Sequence, residues 1–144
     1  MDQSILKNIH ITPLKKISVE GGDVMHGIKK TDEEFNGFGE LYFSWISENS
    51  VKAWKRHNLM TMNLIVPYGS VSFVFYDEAN KIFMNLKSGL NNYNRITVPP
   101  GIIFGFKGTS KNQSLVANIA SIPHDPNEVD KIDCSAIKYE WEKI

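Results

Sequence analysis

From residue 40 onward the chain is a series of short segments in which apolar positions crowd together, separated by turn residues. ELYFSWI (40–46) is dense in aromatic and β-branched side chains and predicts a strand. Residues 51–57 predict the next. Period-two alternation puts Val51, Ala53, Lys55 and His57 on one face and Lys52, Trp54 and Arg56 on the other. Residues 60–66 and 70–77, joined by Pro67-Tyr68-Gly69, are apolar on both faces. That predicts a sheet covered on each side by a second sheet or another subunit. Residues 81–86, 95–98, 102–106 and 114–122 read as further strands, with a Pro99-Pro100-Gly101 corner before the third of them.

Outside this block the pattern is looser. Residues 5–19 hold β-favouring pieces interrupted by Pro13, which predicts an arm or edge strand. Residues 20–23 form a glycine turn and 24–29 a strand. Thr31 and Glu34 have capping-box spacing and predict one helical turn. Pro123 and Pro126 break the chain, and the tail from Asp133 is expected as a short helix or an extended arm. Eight or more short strands with almost no helical periodicity predict an all-β sandwich or barrel. We expect one domain over residues 1–144, with an N-terminal arm at 1–20 and a C-terminal tail at 133–144.

Composition narrows the function classes. With 144 residues the chain is long enough for one core, and 42% apolar residues are normal for a globular protein. Sixteen basic and sixteen acidic residues cancel, so no chain-wide field attracts nucleic acid, and a neutral surface favours self-association. Cys134 is the only cysteine, which excludes an intrachain disulfide and a Cys-rich zinc site and fits a reducing compartment. The first residues lack a signal-peptide apolar region, and no run approaches eighteen apolar residues. The expectation is a cytoplasmic protein that binds neither membrane nor nucleic acid.

The two Pro-x-Gly corners between strands resemble those of a small cupin barrel, a jelly-roll (double-stranded β-helix) of antiparallel strands. Many cupins hold a metal with His-x-His, a following Glu and a third His after the second corner. Here Lys55-Arg56-His57, Met62 and Phe104 stand at those places. A protonated Lys repels a cation and Phe cannot ligate, so neither a metal nor another cofactor is expected. His10, His26 and His124 are too scattered to form a ligand set.

The likeness becomes more specific in GDVMHGIK (22–29), FNGFGELYFSWI (35–46), VKAWKRH (51–57), GSVSFVFYD (69–77), TVPPGIIFGFKG (97–108) and LVANIASIPHDPNEVDKID (115–133). In these segments the chain resembles the dTDP-4-dehydrorhamnose 3,5-epimerase (RmlC-like) family of cupins, in particular a short subgroup. The resemblance implies a metal-free barrel, usually a homodimer with exchanged N-terminal strands, that binds a nucleotide-linked 4-keto sugar at its mouth. It also implies a His base held by an Asp, a Tyr that returns a proton on the opposite face, and cations that hold the diphosphate. By this resemblance the base falls nearest Lys55, with His57 two residues on. The Tyr falls near Asn118 and the orienting Asp at Asp133. Gly21 replaces a phosphate-binding Arg, and Phe104 replaces a His after the corner.

The candidate acid–base groups are therefore His57, Lys55, Asn118 and Asp133. Lys55 acts as a base if desolvation and nearby cations lower its pKa, or otherwise as an anion anchor; His57 is a base or a hydrogen-bonded pocket wall. Arg56 and Lys107 are candidates for the diphosphate, or are solvated surface charges. Glu40, Tyr42 and Tyr76 face the pocket or line a dimer contact. Asn63 and Asn118 sit in apolar strands, where an amide needs a partner or a ligand. Two readings stay open. One is an isomerase acting on a nucleotide-linked 4-keto sugar in a cell-surface polysaccharide pathway. The other is a non-catalytic accessory cupin that has lost the epimerase His and Tyr.

Overall fold

The computed structural model describes residues 4–144; residues 1–3, the start of the expected arm, lie outside it. One five-stranded sheet runs β1 (His10–Pro13), β9 (Asn94–Val98), β6 (Met62–Tyr68), β11 (Gln113–Ala120) and β4 (Glu40–Ser47). The other runs β12 (Val129–Lys131), β5 (Val51–His57), β10 (Ile103–Gly108), β7 (Ser70–Asp77) and β8 (Ile82–Gly89). A separate ribbon pairs β2 (Lys16–Ile17) with β3 (Val24–Met25). All named pairs are antiparallel, as expected for a jelly-roll barrel.

The core lies between the two sheets. Period-two alternation sends Met62, Leu64 and Val66 from one sheet against Phe73, Phe75 and Phe104 from the other, and all are buried. Two glycines allow this close packing. Gly69 has φ +81°, and a Cβ there would lie 2.3 Å from the Ser114 hydroxyl, so the turn between β6 and β7 accepts only glycine. Gly105 lies at a bulge where β10 crosses β5, and its Cβ would come within 2.6 Å of that of Ala53.

The outer faces of β6 and β7 are covered by the chain itself, which accounts for their two-sided apolar pattern without a second subunit. Over the first sheet lie residues 26–36. Buried Arg95 donates to Gly27 O (2.7 Å) and pairs with Glu34 (3.0 Å), and the Asn63 amide donates to Glu34 O. Over the second lies the tail, whose Trp141 packs with Trp54, Val74 and Ile103. Lys107 ties the tail down by donating to Trp141 O (2.8 Å) and Ile144 O (2.9 Å).

Several local expectations change. Ile5–Asn8 is a 3₁₀ turn capped by the Ser4 hydroxyl, not a strand piece, because Leu6 turns into the core. The expected strand at 24–29 is only Val24–Met25. At 31–34 there is no helix. The Asp32 carboxylate accepts from Lys29 N and pairs with Arg95, a tertiary ion pair that overrides the local capping signal. The tail forms two 3₁₀ turns, Cys134–Ala136 and Trp141–Lys143. β12 had no counterpart in the sequence reading.

Candidate active site

A cavity of about 690 Å³ opens between the sheets, a size that suits a small ligand. Met62, Leu64, Phe73, Phe104, Phe106 and Val116 give it an apolar lining. Its polar groups are Tyr42, Ser44, Lys52, Lys55, His57, Asn118, Lys131 and Asp133, with Cys134 beside them.

His57, the last residue of β5, is only 6% exposed. β12 pairs with β5 so that Val129 faces His57, which brings the preceding Glu128 alongside the ring. His57 Nδ1 lies 2.5 Å from Glu128 Oε2. Glu128 Oε1 accepts from the backbone N–H groups of Leu59 and Met60, both at 2.9 Å. The carboxylate is thus held by three donors. Burial alone would raise its pKa, but the bonds from His57, Leu59 and Met60 and the His57 charge bring it below its ordinary value. A carboxylate at Nδ1 assigns the proton to that nitrogen and leaves the Nε2 lone pair free to act as a base. Phe104 stacks beside the imidazole, with ring centroids 6.1 Å apart.

A second polar pair comes from the other sheet. Register places Asn118 of β11 opposite Tyr42 of β4, and Asn118 Nδ2 donates to the Tyr42 oxygen at 2.9 Å. Burial, reinforced by the charges of Glu40 and Glu128, raises the phenol pKa against the opposing effect of the Asn118 bond. Tyr42 is therefore protonated at neutral pH. Buried Asn118 Oδ1 has no partner in the structure.

Cations mark the rim. Lys55 and Lys131 are opposite one another in the β5–β12 register, and Lys52 lies on the same strand as Lys55. Burial first, then the charges of Lys131 and Lys52, lowers the Lys55 pKa. Among the described residues no carboxylate lies within ion-pair distance of these three lysines. Like charges placed opposite each other across a sheet are unfavourable unless an anion joins them.

A crystal structure of a dTDP sugar isomerase from Desulfovibrio desulfuricans G20 is 33% identical to this chain. The match covers 96% of this chain and 93% of that one, with a TM-score of 0.88. The chain belongs to the dTDP-sugar isomerase family of RmlC-like cupins. Two more distant structures share the fold. One is a sugar 3,4-ketoisomerase from Thermoanaerobacterium thermosaccharolyticum in complex with TDP (16% identity, 92% and 94% of the two chains, TM-score 0.74). The other is a dTDP-4-dehydrorhamnose 3,5-epimerase from Sulfolobus tokodaii (16%, 96% and 84%, TM-score 0.80). No family model and no curated protein matches the chain.

Within this RmlC-like barrel the residues singled out from sequence divide into two groups. His57, Lys55, Asn118, Asp133 and Tyr42 all line the cavity. Asp133, however, accepts from the backbone N–H and hydroxyl of Ser135, while Glu128 is the carboxylate on His57. Arg56, Glu40, Asn63, Tyr76 and Lys107 are not among the cavity-lining residues. Arg56 pairs with Asp130 (3.0 Å) and Glu78 (3.6 Å). Glu40 accepts from His124 N (2.8 Å). Asn63 bonds Glu34 O and accepts from the Thr97 hydroxyl. Tyr76 stacks on Phe83 with centroids 4.5 Å apart, and Lys107 holds the tail. The physical reason is strand alternation: Arg56, Tyr76 and Lys107 fall on the outer face of the second sheet and Asn63 on the outer face of the first. Lys52 was expected on the strand face opposite Lys55, but the register shift that skips Trp54 between β5 and β10 breaks the alternation and both line the cavity. Glu128 and Lys131 carried no sequence signal that singled them out. Among the described residues no three His, Cys, Asp or Glu side chains come together as a metal site.

Proposed function

We propose that the protein isomerises a nucleotide-linked 4-keto sugar by moving a proton at a carbon beside the ketone. The observation that carries this reading is the buried His57–Glu128 pair facing a cavity rimmed by lysines that, among the described residues, have no carboxylate partner. A carbonyl acidifies the neighbouring C–H bonds, and an imidazole whose other nitrogen is held by a carboxylate is a suitable base. Lys52, Lys55 and Lys131 would bind the diphosphate, so Lys55 is an anchor rather than the base. The nucleotide in the Thermoanaerobacterium ketoisomerase structure is consistent with this ligand class.

On this reading the protein works as a cytoplasmic homodimer in a polysaccharide pathway. The support for the dimer is β4, a sheet edge whose outer face leaves Leu41, Phe43 and Trp45 exposed, the last two by 57% and 50%. One observation favours the alternative, a non-catalytic accessory cupin: Asn118 stands where the resemblance expects the acid Tyr. Solvent-deuterium incorporation into a dTDP-linked 4-keto-6-deoxy sugar separates the two. Mass spectrometry should show exchange catalysed by the wild type and abolished in His57→Asn. If the wild type binds the sugar nucleotide without exchange, the accessory reading replaces this one.

A further inference from the structure

We infer that residues 129–136 form a strap at the cavity rim that an anionic ligand locks shut by joining Lys131 to Lys55. This rests on the reading of the lysine rim as a diphosphate site given above. It adds that the ligand fixes part of the wall it binds against.

The strap lies between two firm anchors. Before it, buried Glu128 accepts from Leu59 N, Met60 N and, through its carbonyl, Asn58 N (2.8 Å), and it holds His57 Nδ1. After it, the tail is clamped to the outer face of the second sheet. Ile137 O accepts from Trp54 Nε1 (3.2 Å), Trp141 packs on Trp54 with centroids 5.2 Å apart, and Lys107 donates to Trp141 O. Between the anchors the hold is thin. β12 pairs only with β5, at the edge of the sheet, and the reciprocal backbone bonds of Trp54 and Ile132 (both 3.0 Å) extend it by one residue. Asp133, Cys134, Ser135 and Ala136 are all exposed. A segment with so few buried contacts opens locally at far lower cost than the whole fold.

This same segment supplies Lys131, Ile132, Asp133 and Cys134 to the cavity lining. Its register sets Lys131 directly opposite Lys55, and like charges so placed work against the strand pairing that holds the strap. The strap's own carboxylates do not relieve this. Asp130 is bound by Arg56 and Asn58, and Asp133 by Ser135. Lys52 is tied across the rim to the other sheet, where it donates to Trp45 O (2.7 Å). The lowered pKa of Lys55, due to burial and then to Lys131 and Lys52, reflects the same crowding. An anion between Lys55 and Lys131 turns the opposed pair into a bridged one, so each contact it makes favours the closed register. A ligand that needs the closed strap reduces the open population by the factor 1 + [L]/Kd.

The test is amide hydrogen exchange, read by mass spectrometry on the full chain, with dTDP as the probe and its Kd taken from calorimetry. At about 100 times Kd, exchange in residues 129–136 should slow by up to about 100-fold. Exchange in β8 (Ile82–Gly89), the opposite edge of the same sheet and outside the cavity lining, should change little. Lys131 is exposed, so Lys131→Glu should fold normally. It replaces the repulsion by an attraction and should slow strap exchange about two- to fivefold without ligand. dTDP should then add little further protection. Strap exchange unchanged in saturating dTDP, equal slowing in β8, or a strap in Lys131→Glu that exchanges as fast as in the wild type would each overturn the inference and leave the lysine rim a diphosphate site. A wild type that binds no dTDP refutes the rim reading and the inference with it. Neither result bears on the His57–Glu128 pair, which deuterium incorporation tests separately.

Discussion

Replacing Glu128 by Gln tests the centre of the site with one atom. Glu128 is 3% exposed, and its carboxylate accepts from Leu59 N and Met60 N while holding His57 Nδ1. A glutamine oxygen still accepts the two backbone N–H groups. Its NH₂ then points at Nδ1 and donates to it, which moves the imidazole proton to Nε2 and removes the lone pair that would take the substrate proton. Exchange activity should fall about 10²–10⁴-fold. Stability should fall less. A hydrogen bond to a charged group contributes about 1.5–3 kcal/mol and a neutral one about 0.5–1.5, so the difference is about 1–2 kcal/mol. For a chain of this size that lowers Tm by roughly 2–8 °C.

The pH dependence supplies a second reading of the same variant. The Glu128 pKa is lower in the folded protein than the ordinary value for a glutamate. A depressed carboxyl stabilises the fold fully above its unfolded pKa, and that contribution disappears as pH falls through the lower folded value. The stability gap between wild type and Glu128→Gln, measured by urea melts, should be constant above about pH 5 and shrink in more acid solution. An exchange rate within threefold of wild type, or a gap that does not shrink in acid, would refute the role given to Glu128.

Sedimentation at micromolar concentration should give twice the 16.4 kDa chain mass, and Trp45→Glu, which charges the exposed face of β4, should return the monomer. Lys55→Ala and Lys131→Ala should each weaken dTDP binding by calorimetry about 5–30-fold, roughly 1–2 kcal/mol, and the affinity should fall with salt. Because Lys55 titrates below 10.5, dTDP affinity should begin to fall at a lower pH than for an ordinary lysine, and binding should take up protons as pH approaches that range. Lys107→Met leaves the oxygens of Trp141 and Ile144 without their donor, at about 1–3 kcal/mol, and should release the tail to proteolysis with a red shift in tryptophan fluorescence.

The barrel was legible because apolar runs and Pro-x-Gly corners are local signals. Alternation put Lys55 and His57 on one face, and the cupin resemblance turned that face inward. The orienting carboxylate was not legible. Glu128 lies between Pro126 and a three-residue strand, VDK, with no apolar pattern to mark it. Its partnership with His57 exists only because β12 adds to the edge of the second sheet. Tyr42 was placed on the right strand, but its contact with Asn118 depends on the β4–β11 register, which sequence does not contain. Arg56 and Lys107 misled for the opposite reason. They are cations beside pocket residues, yet the alternation that turns Lys55 inward turns them out, where Asp130 and the tail hold them.

Met62 and Phe104 decide more than the lack of a ligand set. They place apolar groups where a metal-binding cupin carries donors, so much of the cavity wall is apolar. A diphosphate cannot sit against the apolar wall, because an unpaired charge there costs far more than any contact returns. At the rim it meets Lys52, Lys55 and Lys131 while keeping contact with solvent. The ligand therefore has one favourable orientation, nucleotide outward and sugar inward. Groups of the sugar that touch Phe73 and Phe106 must be apolar, since a hydroxyl buried there without a partner costs about 1–3 kcal/mol. Apolar walls also lower the local dielectric around His57 and Tyr42, which raises the phenol pKa and strengthens the His57–Glu128 bond. Phe104→His would reverse this by putting a second imidazole beside His57 at the place where the ring now stacks. Its expected effect is a looser hold on the sugar, read as a higher KM with a smaller change in kcat. If kcat falls and KM does not, Phe104 positions the base instead of the substrate.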